Sequence, residues 1–275
     1  MVIRKNPYKW GFPGCRKRGF FVRTNYLFHS KMNLQKITIK CCACFLMLII
    51  THLSKAHTMW IESSFQGYIG QEQQVKIYFG EFSIDMITPA QKWFSDIADC
   101  KLMLLTPDGE KKALSKAREE NFYTASFTPE AEGWYLVYLE HLVKDLYKGM
   151  RITYQALSWV KVGSPTGLPD VPSPFSDGKL ILPPQTPFEL NTSAEVALLR
   201  NRAPVVSQRF TLTANNGWRK SLRSGKESGK ASTELIFPAK YLYEWSESIP
   251  VGNDAEKVQP EHRSDYVNMC YFFSM

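Results

Sequence analysis

The sequence is poor in the signatures that announce catalysis. It holds no Gly-x-Ser-x-Gly, no Walker loop, no Gly-x-Gly-x-x-Gly and no His-Glu-x-x-His, and beyond residue 56 it has no Cys-x-x-Cys. Nucleophilic hydrolysis and phosphate-loop chemistry are therefore without support. Cysteine is scarce too. Four of the six lie within the first 56 residues, leaving only Cys100 and Cys270. Two cysteines in separate segments are too few for a disulfide framework and are expected as buried free thiols. No apolar run approaches the roughly 20 residues that span a bilayer. Acidic residues are missing from positions 1–56, which carry eleven basic ones. The formal net charge of +8 therefore belongs to the leader, because beyond it 23 basic residues face 26 acidic ones. That balance excludes nucleic-acid binding as a reading of the charge.

What the leader does contain is ordered. Residues 32–40 are short and basic, Cys41–Ile50 is an unbroken apolar run of ten, and Ser54-Lys55-Ala56 sets small residues at −3 and −1 of a cleavage site. This is the layout of a signal peptide over 32–56, cleaved after Ala56. The alternative, an uncleaved anchor helix, is short of a span. Residues 1–31 read as an upstream extension, basic and aromatic without periodicity, with translation beginning at Met32.

Beyond residue 56 the chain reads as short strands divided by turns, with no long amphipathic helix. Strands are expected at 59–62, 74–82, 101–106, 121–128, 134–141 and 151–162, with Pro107-Asp108-Gly109 as a turn and a short helix over 89–98. Seven prolines between 163 and 187 predict an extended linker. The β pattern then resumes at 195–199, 205–214, 218–223, 233–237, 241–245 and 266–273. Asn215-Asn216-Gly217 is expected as a type I′ hairpin turn, and 233–237 is expected to pair with 241–245. The fold class is thus all-β, with two antiparallel Ig-like β-sandwich domains, 57–162 and a smaller 188–275, joined by the proline-rich linker.

Histidine is the chemistry left to consider. If cleavage follows Ala56, His57 becomes the first residue, and its α-amine and imidazole can chelate one metal ion. Imidazole suits zinc, copper, nickel and iron. His141 ends an expected strand and His262 lies in a polar loop, so the candidate metal ligands are His57, His141 and His262. Glu62 and Glu81 are candidate carboxylates orienting a ligating histidine. The plainer reading is a solvated histidine in each case and a strand-edge ion pair for each glutamate. Six tryptophans on alternating strands read as core rather than as a sugar platform.

At this point the residues resemble a family. Ala56-His57-Thr-Met-Trp60-Ile-Glu62 is similar to the start of mature proteins in a periplasmic family of unknown function associated with nickel and cobalt uptake. Residues 75–81, the Trp93 region, 105–109, 127–135 and the strand end at His141 follow in the same order. The likeness covers 57–162 and weakens over 188–275, where Gly225–Lys230 departs from the family's pattern. It implies a β-sandwich, a periplasmic (Gram-negative envelope) address and a transition metal (Ni, Co or Cu) held by His57 and His141, with His262 matching less surely. A membrane metal transporter or outer-membrane receptor would be the partner. Two rival readings stay open. One is a non-catalytic structural, partner-binding or glycan-binding sandwich. The other is a copper monooxygenase with a histidine brace.

Overall fold

A computed structural model describes residues 57–251 and 261–275. The expected leader, its expected cleavage site and the expected upstream extension all lie outside the described residues. The first half contains β1 (Thr58–Ser63), β2 (Gln66–Gly67), β3 (Gln73–Glu81), β4 (Met86–Ile87), β5 (Leu102–Leu105) and β6 (Lys111–Leu114). It continues with β7 (Ala117–Arg118), β8 (Tyr123–Phe127), β9 (Gly133–Leu142) and β10 (Met150–Val162). The second half contains β11 (Lys179–Leu182), β12 (Ser193–Arg200), β13 (Ala203–Pro204), β14 (Arg209–Ala214) and β15 (Arg219–Arg223). It closes with β16 (Lys230–Glu234), β17 (Lys240–Pro250) and β18 (Ser264–Ser274).

The strands form three sheets. One runs β1-β3-β8-β7, with β4 beside β3. A nine-stranded sheet runs β15-β14-β17-β18-β10-β9-β5-β6, with β2 beside β10. A third runs β11-β12-β13, with β16 beside β12. The nine-stranded sheet belongs to both halves, because β10 and β18 pair in parallel from Met150–Ser264 to Leu157–Tyr271. The first sheet covers one of its faces and the third covers the other.

Side-chain alternation shows why. On β9, Tyr135, Val137 and Leu139 enter a core with Met59, Ile61, Ile77 and Phe79, while Trp134, Leu136 and Tyr138 enter a second core with Trp159, Leu198, Phe210 and Tyr243. On β10, Tyr154, Ala156 and Val160 go to the first core, Leu157 and Trp159 to the second. A strand buried on both faces needs apolar residues at every position rather than every second one. Trp134–Leu139 has that composition. A third cluster of Trp60, Tyr78, Phe82, Leu242, Cys270 and Phe272 seals the seam where β1 lies over β17 and β18.

Several expectations are revised. The proline-rich segment is not a linker throughout, since Lys179–Leu182 is a buried strand on β12. The expected helix over 89–98 is two 3-10 turns, Ala90–Lys92 and Ile97–Asp99. Trp93 between them is extended and Ser95 takes φ 55°, which a helix does not accommodate. The Asn-Asn-Gly hairpin is a three-residue loop, with Ala214 N–H bonded to the Trp218 carbonyl and only Gly217 at positive φ. β16 pairs with β12 and β17 with β14 and β18, so these two strands enter different sheets. Cys100 and Cys270 are buried free thiols.

Candidate functional site

His57 stands directly before β1. Its ring packs 5.4 Å from that of Phe79, and its carbonyl accepts a bond from the Tyr154 hydroxyl at 3.3 Å. The β1–β3 register pairs Thr58 with Gly80. Continued by one residue, it sets His57 opposite Glu81. Glu81 is buried, and Oε1 accepts a bond from the Ser83 hydroxyl at 2.7 Å, while Oε2 has no hydrogen-bond partner among the described residues.

Behind Thr58 lies a polar cluster inside the seam. The Thr58 hydroxyl bonds the Asn268 side-chain oxygen and lies 2.9 Å from Cys270 Sγ. Asn268 Nδ2 donates to Glu244 Oε1 at 2.9 Å. Burial raises the Glu244 pKa above the ordinary carboxylate value. The Asn268 bond and the Arg219 charge work against that rise, and the nearby Glu81 adds to it. Burial likewise pushes the Cys270 thiol well up, which makes it a poor thiolate.

The other candidate ligands are engaged elsewhere. His141, near the end of β9, lies with Nε2 3.1 Å from Asp96 Oδ1, and that oxygen also accepts the Lys144 N–H at 3.0 Å. Burial opposes ionisation of Asp96, but these bonds and the His141 charge hold its pKa below the ordinary value. His262 is buried before β18, with Nε2 2.9 Å from Asp265 Oδ1 and 3.2 Å from the Ser264 carbonyl oxygen. Glu62 pairs with Lys240 at 3.0 Å and accepts the Trp60 indole N–H, which is the strand-edge ion pair. Among the described residues no three His, Cys, Asp or Glu side chains form a group able to hold a metal ion. His57, His141 and His262 are not brought together in such a group, and His141 and His262 each lie against a carboxylate of their own.

Sequence reasoning passed over Thr58, Glu244 and Asn268. A signal existed: Glu244 and Asn268 are lone polar residues inside the apolar runs Tyr-Leu-Tyr-Glu-Trp and Tyr-Val-Asn-Met-Cys-Tyr. A buried polar residue is more informative than an exposed apolar one.

No family model and no curated protein matches the chain. Solved structures match it with low scores. Escherichia coli alpha-2-macroglobulin activated by porcine elastase matches with TM-score 0.28 and 10% identity, over 78% of this chain and 20% of that one. A two-domain fibronectin type III segment of chicken tenascin matches with TM-score 0.21 and 12% identity, over 78% of this chain and 97% of that one. The chain thus spans about a fifth of the macroglobulin it resembles. At these scores neither likeness bears on function.

Proposed function

We propose that this is an exported, non-enzymatic binding protein that captures a divalent transition metal (nickel, cobalt or copper) at the head of β1. In this reading the α-amine and imidazole of His57, freed by cleavage after Ala56, chelate the ion, and Glu81 supplies the third donor. A periplasmic setting and transfer to a membrane transporter or outer-membrane receptor belong to the same reading.

The observation that carries it is the buried Glu81 oxygen, which has no hydrogen-bond partner among the described residues and stands at the register position facing His57. A buried carboxylate oxygen with no donor is costly unless a proton, a water or a cation meets it. Two nitrogens and one carboxylate oxygen suit a late first-row metal. His141 and His262 have no part in this smaller site.

Calorimetric titration of the form beginning at His57 with Ni, Co, Cu and Zn tests the proposal. Tight binding is expected, weakened about ten-fold or more by one extra residue before His57 and by Glu81→Gln. Binding that is absent, or equal in native and extended forms, removes the chelate. It would favour the second reading, a partner- or glycan-binding sandwich. What supports that alternative is the exposed aromatic pair Phe94 and Tyr147, whose rings meet edge to face at 6.1 Å.

A further inference from the structure

Charge is unevenly spread over the chain. Between Arg200 and Lys230 there are eight basic residues and one acidic, Glu227, although the chain beyond residue 56 is slightly acidic. Three of the eight are arginines on the β14–β15 hairpin, where Arg209 stands directly opposite Arg223. Like charges facing one another across a strand pair are destabilising. Among the described residues none of Arg209, Arg219 and Arg223 forms an ion pair. Arg219 donates Nε–H to the Thr213 hydroxyl at 3.4 Å, and Arg223 donates from one Nη to the Ser207 carbonyl at 3.2 Å.

β15 is also the end of the nine-stranded sheet. The Ala214 N–H bonds the Trp218 carbonyl and the Ser224 N–H bonds the Gln208 carbonyl, which fixes the alternation between them. Lys220 and Leu222 turn their backbone groups toward β14. The N–H and C=O of Arg219, Ser221 and Arg223 therefore face away from the sheet. Among the described residues no strand pairs with that side, and β16 reaches β15 through the Lys220 ammonium on the Thr233 hydroxyl at 2.6 Å. The edge formed by β6 differs, because there Lys112 is neutralised by Glu110 at 3.1 Å. Basic residues on an open edge repel a second copy of the same edge. The complementary occupant carries negative charge.

We infer that β15 is a docking edge for an extended, acidic segment of a partner protein. The segment adds as a further strand beside Arg219–Arg223, with its carboxylates against Arg209, Arg219 and Arg223. The inference is independent of metal binding at His57.

Fluorescence anisotropy with a labelled peptide of alternating Glu and Thr, added to the protein as purified, tests it. Saturable binding is expected, weakened about ten-fold or more by the double reversal Arg219→Glu and Arg223→Glu. Ser221→Pro should weaken it comparably with Tm unchanged, since an edge position whose N–H faces solvent accepts proline. A peptide N-methylated at alternate residues, which leaves the protein untouched, should also fail to bind. Lys111→Glu on the other edge should leave binding as it was. No binding, or binding that survives both the proline and the N-methylated peptide, overturns strand addition. A sulfated oligosaccharide that binds as well as the peptide overturns a protein partner.

Discussion

Two carboxyl groups, Glu244 and Asp96, tie the stability of this protein to pH in opposite directions. Folding raises the Glu244 pKa, chiefly by burial, so its contribution is fully present below the unfolded value and is lost as pH rises through the folded one. Folding lowers the Asp96 pKa, because burial, which would raise it, is outweighed by the Lys144 N–H and His141. Its contribution is present above the unfolded value and is lost as pH falls through the folded one. Urea midpoints between about pH 3 and pH 8 check this, the range being the one in which carboxylates and histidine titrate. Glu244→Gln should flatten the loss of stability on the neutral side. Asp96→Asn should lower stability at neutral pH and flatten the acid side. If both variants track the wild type at every pH, neither carboxyl group carries the linkage.

The doubly buried strands make a different prediction. Leu136 and Val137 are adjacent on β9 and fully buried in opposite cores. On a strand with one solvated face, truncation at one of two neighbours would be cheap. Here Leu136→Ala should cost about 2–5 kcal/mol and Val137→Ala about 2 kcal/mol, read from chemical unfolding. β11 carries a second lesson. The Lys179 ammonium is buried, pairs with Asp177 at 3.1 Å and Glu247 at 2.8 Å, and lies 4.1 Å from the Trp245 ring centroid. Replacing both carboxylates by alanine leaves that charge unpaired and should cost about 3 kcal/mol. Lys179→Met in the same background should recover most of the loss. If it does not, the cost lies in packing rather than charge.

Because β10 and β18 pair in parallel, one sheet spans both halves of the chain. Unfolding by urea should accordingly be a single transition, coincident by tryptophan fluorescence and far-UV circular dichroism. Two separated transitions would show that the halves are independent despite the shared sheet. A chain ending at Gly163 would lose β17 and β18, leaving the β10 edge unpaired and Trp60 and Tyr78 uncovered. Such a fragment should aggregate.

The all-β class, most strand positions and the Pro107–Gly109 turn, where the Gly109 N–H bonds the Thr106 carbonyl with φ 88°, are legible in the amino-acid order alone. These follow from local chemistry: alternation, β-branched and aromatic residues, and glycine where φ is positive. That order did not reveal that 134–139 is apolar on both faces because two cores share it. Nor did it show that β16 and β17 part company, that His141 and His262 bind Asp96 and Asp265, or that Thr58 meets Asn268 across 210 positions. Those are outcomes of long-range pairing, and pairing depends on which sheet a strand joins. Local pattern has period two whichever partner is chosen, so it specifies a strand and its faces but leaves the neighbour to the folded chain.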